Sequence, residues 1–230
     1  MPKMRGVVFA VILKLDWASY DAANYAVKNW HYSRAMPASK LVKIGVWEDE
    51  KFVGVVIFGP GATNHLLTPY GLKNIEGCEL VRIALCKHET PVSRIVAIAI
   101  KMLKRMSPKL KLIVSFADAS EGHHGGIYQA GGWIYTGKSD DAKFPIINGK
   151  KRHPRTLSEM VKTGKVKRTE VEFVIVPGKH RYLFPLNEDM RKQVIKLKMP
   201  YPKRAIEVNG VTPVVQTGEG GSSPTRSLNL

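Results

Sequence analysis

The chain has 230 residues, of which 44% are hydrophobic, and its 36 Lys and Arg against 19 Asp and Glu give a net charge of +17. This length supports one sizeable domain with a core of its own. The longest apolar run, residues 6–13, is too short to cross a bilayer and lacks the cleavage site of a signal peptide. The two cysteines have no partner motif. These features exclude a membrane-spanning protein and favour a cytoplasmic one.

The positive charge is concentrated in residues 150–204, where 16 basic and 5 acidic side chains give +11. Residues 1–149 carry only +7. A polyanionic partner is the natural interpretation, and nucleic acid is the commonest polyanion. The alternative is a basic surface that serves solubility alone. A membrane surface is disfavoured because the basic segment contains no aromatic-rich amphipathic helix.

Apolar periodicity, capping residues and turn residues divide the chain into elements. In chain order we predict a strand (6–15), a helix (16–30, capped by Asp16 or Ser19), a hairpin of two strands (43–61), a strand (78–86), a helix (90–106), a strand (109–118), a short helix (123–132), a strand (133–137), an Asn-Gly turn (148–149), a strand (171–176) and a helix (187–198). This order predicts a mixed α/β fold around one central sheet. Residues 1–204 are predicted to form a single domain, and residues 205–230, rich in Gly, Ser, Thr and Pro, a disordered tail.

Short motifs in a fixed order connect this sequence to known proteins. The strand, loop, helix and strand of residues 79–118, followed by "GIYQAGGW", resemble the GNAT acyltransferase superfamily. The segments "WHYSRAMP", "FGPGATNHL", "ELVRIAL", "PVSR", "SFAD" and "HHGGIYQAGGW" together resemble the Mom DNA-modification proteins of Mu-like phages, over roughly residues 25–185. The resemblance implies a GNAT-like mixed central β-sheet flanked by helices, here with a basic C-terminal extension over 150–204.

The Mom resemblance also implies an activity. That family replaces a hydrogen on the exocyclic amine of adenine in DNA with a methylcarbamoyl (acetamido) group, which protects phage DNA from restriction in the host bacterial cytoplasm. The expected partner is double-stranded DNA with the target adenine flipped out of the stack. Iron, and acetyl-CoA or another small-molecule donor, are the cofactors that the resemblance implies. The sequence leaves the oligomeric state open, a homodimer included.

The metal ligands suggested by this resemblance are His31 and Tyr32, at the end of the first predicted helix, and Asp118, at the end of a strand. An imidazole, a phenol and a carboxylate suit a ferrous or ferric ion. Strand ends in open α/β sheets gather ligands, which favours Asp118. The alternative interpretation makes His31 a helix C-cap and Tyr32 a packing residue.

Asp118, Tyr128 and Ser93 are the candidate catalytic residues. A carboxylate at Asp118 could orient the adenine amine or take its proton, whereas the alternative is a strand-end aspartate that caps the next segment. Tyr128 matches the position where many GNAT enzymes keep a tyrosine general acid; the alternative is a core aromatic. Ser93 and Arg94 lie in the loop over residues 88–94, where the resemblance implies pyrophosphate binding at a helix N-terminus. That loop contains no glycine and so departs from the GNAT pattern.

The strongest candidate for DNA contact is the segment "NGKKRHPRT". Its turn presents Lys150, Lys151, Arg152 and Arg155, which suit the phosphate backbone. A solvated basic face is the alternative. Two other functions also remain open: an acyl-CoA-dependent N-acetyltransferase with a non-DNA substrate, and a non-catalytic DNA-binding protein on a GNAT scaffold.

Overall fold

The structure is a computed structural model that describes residues 11–61, 63–152 and 154–203. Within these ranges the strands β1 to β10 cover Leu13–Trp17, Val42–Glu48, Lys51–Gly59, Gly77–Leu85, Leu112–Ala117, Ile134–Lys138, Ala142–Ile147, Lys150–Lys151, Glu172–Val176 and His180–Pro185. The helices α1 to α5 cover Tyr20–Trp30, Val92–Met106, Gly126–Ala130, Pro154–Lys162 and Glu188–Val194. None of the helices described is long and apolar enough to span a bilayer. Residues 6–10 of the first predicted strand and the predicted tail lie outside the described residues.

Seven strands form one mixed sheet in the order β1-β2-β3-β4-β5-β10-β6. All neighbours in it are antiparallel except β4 and β5, which run parallel. Parallel neighbours need a crossover connection, and α2 supplies it. The mixed α/β architecture predicted from the sequence is confirmed.

Helices cover both faces of the central sheet, as the alternation of side chains along β3 shows. Val55 and Ile57 pack in the apolar cluster that contains the buried side of α1. Val56 and Phe58 pack in the cluster that contains the buried side of α2. Successive side chains of a strand point to opposite faces, so a strand buried on both faces reads as a continuous apolar run, as β3 does.

The parallel pair β4–β5 separates part-way along its length. The register ends with Leu80 opposite Ser115, although β4 continues to Leu85 and β5 to Ala117. The two strand ends therefore diverge and leave a gap in the middle of the sheet.

A separate three-stranded sheet, here called the small sheet, has the order β8-β7-β9. Asn148 and Gly149 join β7 to β8 with φ values of 52° and 70°. The predicted Asn-Gly turn is confirmed, because two successive positive φ values are typical of the tight hairpin turn that this dipeptide favours. The base of the small sheet is attached to the central sheet where the Ser139 N–H donates to Lys179 O and the Lys179 N–H to Ser139 Oγ, both at 2.9 Å.

Two sequence predictions require correction. The first helix begins after Ser19, whose hydroxyl accepts from the Ala22 N–H, whereas Asp16 lies in β1. The basic segment 150–204 is not an extension appended to the domain, because β10 lies between β5 and β6 inside the central sheet. Tyr182 and Leu183 of β10 are fully buried, so this strand belongs to the core.

Candidate active site

A cleft of about 900 Å³ opens in the gap between the ends of β4 and β5. Four residues singled out from the sequence line it: His31, Tyr32, Asp118 and Tyr128. They come from the end of α1, the end of β5 and α3, so the fold brings together residues that are far apart in the chain. The volume lies in the range of about 300–1,000 Å³ that is usual for small-molecule sites.

Asp118 follows β5 and is largely buried. Its Oδ2 lies 2.8 Å from Lys179 Nζ, and its Oδ1 accepts from the Ser120 hydroxyl at 2.6 Å and the Ser120 N–H at 3.1 Å. Burial on its own raises the pKa of Asp118, but the hydrogen bonds from Lys179 and Ser120 outweigh it and hold the pKa below its ordinary value. Asp118 is therefore an ionised acceptor at neutral pH and a weak base.

His31 ends α1 as its C-cap, where its backbone N–H donates to Val27 O at 3.2 Å. Its Nδ1 accepts from the Ser33 N–H at 3.1 Å and lies 2.8 Å from the Ser33 hydroxyl. Burial, and then the positive charges of Arg82 and other neighbours, lower the pKa of His31 to about 4. A neutral imidazole whose Nδ1 accepts carries its proton on Nε2, so His31 offers an N–H donor there.

Tyr32 forms an aromatic wall at the mouth of the cleft. Its ring lies 4.3 Å from the His31 ring, centroid to centroid, and 5.6 Å from the His123 ring in an edge-on arrangement. The Tyr32 side chain is 47% exposed, so part of the ring remains open to a ligand. Burial raises the pKa of its hydroxyl, which therefore stays protonated at neutral pH.

Tyr128 is joined to the floor of the cleft through Ser115. Ser115 Oγ lies 2.8 Å from Leu80 O and 2.8 Å from the Tyr128 hydroxyl oxygen. A carbonyl can only accept, so the single proton of Ser115 goes to Leu80, and Tyr128 donates its own proton to Ser115. Burial raises the pKa of Tyr128 to about 12, which keeps the hydroxyl protonated at neutral pH.

Two cations of the cleft, Lys179 and Arg82, were not assigned a role from the sequence. Lys179 pairs with Asp118 from the connection between β9 and β10. Arg82 lies on β4, where its Nη1 donates to Val81 O at 2.7 Å. Its Nε is the one buried side-chain nitrogen or oxygen without a hydrogen-bond partner in the described part of the chain. An acceptor atom of a bound ligand would satisfy it.

The sequence model of the Mom protein family matches residues 13–203. The chain belongs to the Mom family. A relative, the methylcarbamoylase mom of Escherichia phage Mu, is 27% identical to it over 207 residues, which are 83% of this chain and 84% of that protein.

The solved structures that this chain resembles are more distant from it in sequence. An acetyltransferase of Bacillus subtilis in complex with CoA is 13% identical, with a TM-score of 0.44 over 77% of this chain and 100% of that one. An N-acyl amino acid synthase from uncultured soil microbes is 11% identical, with a TM-score of 0.46 over 80% and 95%. Sequence identities this low are no evidence of a shared substrate. The predicted mixed central sheet flanked by helices is confirmed, and its parallel strands β4 and β5 splay.

The iron implied for the Mom family finds no support in the side chains of the cleft. Among the described residues no group of three His, Cys, Asp or Glu could hold a metal ion. Both oxygens of Asp118 already accept from Lys179 or Ser120. A metal-bound histidine commonly donates its second ring N–H to a neighbour, whereas His31 Nδ1 accepts one. The donor set as arranged does not fit an iron ion.

Ser93 and Arg94 do not lie among the residues that line the cleft. Both belong to the first turn of α2, whose N-cap is Pro91. Their predicted catalytic and cofactor-binding roles would therefore need a ligand that extends from the cleft to the start of this helix.

The predicted DNA-contact residues lie at the end of the small sheet that is remote from its base. Lys150 and Lys151 form β8 and are exposed, as are Arg152 and Arg155, the latter in the first turn of α4. β7 runs from Ala142 at the base to the turn, and its five residue steps of about 3.3 Å span roughly 17 Å. Because Lys179 lies at the base and pairs with Asp118, the small sheet starts at the rim of the cleft.

Proposed function

We propose that this Mom-family protein transfers a methylcarbamoyl (acetamido) group to the exocyclic amine of adenine in DNA. The family match over residues 13–203 and the relative named as a methylcarbamoylase support the reaction. The observation that carries the proposal is that one cleft gathers two of the three predicted catalytic residues, Asp118 and Tyr128, with His31 and Tyr32 from a third part of the chain. That cleft adjoins the base of a small sheet whose far end is strongly basic.

Asp118 binds and orients the adenine amine in this proposal. The amine is a poor nucleophile because its lone pair is delocalised into the ring. An ionised carboxylate that accepts a hydrogen bond from one amine N–H fixes the orientation of the nitrogen and its lone pair. Lys179 and Ser120 hold the carboxylate in place at 2.8 and 2.6 Å. The lowered pKa of Asp118 makes it a weak base, so it orients the neutral amine and takes a proton from it only after the new N–C bond has made that nitrogen cationic and acidic.

Tyr128 acts as the general acid. Its pKa of about 12 means that the hydroxyl carries the proton a leaving group would need. Ser115 Oγ lies within hydrogen-bond distance of both Leu80 O and the Tyr128 oxygen. When Tyr128 gives up its proton, the Ser115 hydroxyl turns from the carbonyl to the phenolate and stabilises the new charge. The Ser115 hydroxyl can turn only after Tyr128 has lost its proton, because only then does the Tyr128 oxygen become the better acceptor.

The target adenine enters the cleft as a flipped base. Four aromatic residues are candidates for stacking on this base: Trp47, Tyr32, Tyr128 and Trp133. Trp133 is buried, and Trp47 does not line the cleft. Tyr128 is buried in the floor, whereas Tyr32 keeps an exposed ring at the mouth. Tyr32 is therefore the side chain on which the extruded base stacks.

The small sheet holds the duplex beside the cleft. A length of roughly 17 Å corresponds to about five base-pair steps of 3.4 Å. The cations of the turn would then contact phosphates about half a helical turn from the flipped adenine. These cations are Lys150, Lys151, Arg152 and Arg155.

Nucleoside mass spectrometry of plasmid DNA from cells that express the protein tests the proposal. We expect a methylcarbamoyl deoxyadenosine with the unchanged chain and its loss with Asp118→Asn. Asp140→Asn, a matched change at an exposed aspartate outside the cleft, should leave the modification unchanged. Unmodified DNA from cells with ample folded protein overturns the proposal. If such protein still binds DNA, the non-catalytic DNA-binding alternative replaces it.

A further inference from the structure

The connection between β4 and α2 is where the GNAT resemblance implies a CoA pyrophosphate, held by backbone N–H groups. In this chain two of those donors are already used. Glu48, the last residue of β2, accepts from the Glu89 N–H through Oε2 at 2.8 Å and from the Thr90 N–H through Oε1 at 2.7 Å. The Thr90 side chain also forms a hydrogen bond to the same carboxylate.

The surroundings of this carboxylate show that the contact is built into the core. The Glu48 side chain is 8% exposed, and burial opposes its ionisation. The hydrogen bonds from Thr90 and Glu89 nevertheless lower its pKa below the ordinary value. The buried Glu48 carboxylate accepts one backbone hydrogen bond on each oxygen and a further one from the Thr90 hydroxyl. Most of its hydrogen-bond acceptor sites are therefore occupied.

The residues after Thr90 provide few groups that could bind a pyrophosphate in place of the Glu48 carboxylate. Pro91, the N-cap of α2, has no N–H to donate. Residues 86–94 contain no glycine, so side chains surround the backbone that a pyrophosphate would have to approach. The residues present at this position do not fit the CoA tail.

We infer that Glu48 is a built-in anion that fills the pyrophosphate position, so that the chain selects a donor without a CoA tail. This inference rests on the proposed transfer reaction and names the class of donor: a small molecule held within the splayed cleft itself. Glu48 competes effectively because it is part of the chain and loses no translational freedom on binding. A pyrophosphate beside it would place like charges together in a buried site, which is unfavourable.

Titration of the 15N-labelled full-length protein with acetyl-CoA tests the inference. We expect the amide resonances of Glu89 and Thr90 to stay unchanged up to millimolar acetyl-CoA. Glu48→Ala frees both amides and should bind acetyl-CoA at least about tenfold more tightly, since charged hydrogen-bond partners have that scale of effect. Glu50→Ala removes the same charge from the exposed turn two residues away and should behave like the unchanged chain.

Two results would overturn the inference. One is saturable binding of acetyl-CoA to the unchanged chain with movement of the Glu89 and Thr90 resonances. The other is a folded Glu48→Ala protein that gains no affinity. If that variant does not fold, the titration of the unchanged chain still decides. Modified deoxyadenosine in plasmid DNA is measured separately, so failure of the donor inference and failure of the proposed function give different results.

Discussion

Substitutions in the hydrogen-bond chain Tyr128–Ser115–Leu80 can distinguish a catalytic role of the tyrosine from a structural one. Tyr128→Phe removes the donor at the end of the chain, and Ser115 can keep its bond to Leu80 O. The loss is one neutral hydrogen bond, about 0.5–1.5 kcal/mol of unfolding free energy. Ser115→Ala instead leaves the buried Tyr128 hydroxyl without its acceptor, which costs about 1–3 kcal/mol.

The expected effects on DNA modification run in the opposite order. Loss of a general acid typically slows a reaction about 100-fold or more, so Tyr128→Phe should reduce methylcarbamoyl deoxyadenosine far more than its small loss of stability explains. Ser115→Ala should unfold at lower urea and keep more of the modification, because the acid is still present. In the double variant no tyrosine hydroxyl is stranded, so its destabilisation should be smaller than the sum of the two single changes.

Urea unfolding followed by circular dichroism, and nucleoside mass spectrometry at matched protein levels, provide the two measurements. If Tyr128→Phe destabilises the protein more than Ser115→Ala does, the assignment of the protons along the chain is wrong. If Tyr128→Phe modifies DNA as well as the unchanged chain, Tyr128 is only an aromatic floor of the cleft.

Three further predictions concern the rim of the cleft, the small sheet and the packing beneath α3. Lys179→Met should abolish most of the modification while the protein stays folded, because the Lys179 side chain is half exposed and Ser120 still donates two hydrogen bonds to Asp118; full activity in mass spectrometry would argue against it. Charge reversal at Lys150 and Lys151 should weaken duplex binding and reduce the slope of log affinity against log salt by about 2, measured by fluorescence anisotropy; an unchanged slope would remove the turn from the interface. Gly125→Ala should cost about 2 kcal/mol or more in urea unfolding, because φ is +82° and a Cβ would overlap the Tyr182 ring; a smaller loss would mean that the ring moves easily.

The protonation of Glu48 gives stability a defined dependence on pH. Its pKa is lowered in the folded protein from the ordinary 4.5, so its hydrogen bonds stabilise the fold fully above that value. The contribution is lost as the pH falls through the lower, folded-state pKa. The difference in unfolding free energy between the unchanged chain and Glu48→Ala should therefore be constant near neutral pH and shrink below about pH 4.5. A difference as large at pH 3 as at pH 7 would show that the carboxylate charge is not the cause.

Four of the five helices that the structure describes, and most central strands, could be predicted from the sequence because their apolar patterns are local; the helix α4 was not predicted. β7 and β10 could not. β7 contains Pro145, which argues against a strand, yet this proline uses its carbonyl to accept from the Arg152 N–H at 2.9 Å. β10 is a short apolar run, and only its position between β5 and β6 explains why Tyr182 and Leu183 are buried.

The candidate site shows the same division between local and distant signals. Asp118 was recognisable because it ends a strand, and His31 because it ends a helix. Lys179 was not, because one lysine among the many basic residues of 150–204 has no distinguishing neighbour in sequence. Its pairing with Asp118 depends on the path of β7 and β9, which no local pattern encodes. Glu48 was not recognisable for the same reason, since its partners Glu89 and Thr90 lie beyond β3 and β4.

Ser115 connects the shape of the cleft to its chemistry. It is the last residue of β5 in register with β4, and its hydroxyl donates to the carbonyl of Leu80, the residue opposite. A buried carbonyl at the point where two strands part needs a donor that the departing strand no longer brings with it. The Ser115 oxygen also accepts from the Tyr128 hydroxyl. Ser115 therefore both allows β4 and β5 to separate and fixes the Tyr128 hydroxyl at the floor of the cleft between them. A larger apolar residue at position 115 should therefore change the width of the cleft and the position of Tyr128 together, rather than either one alone.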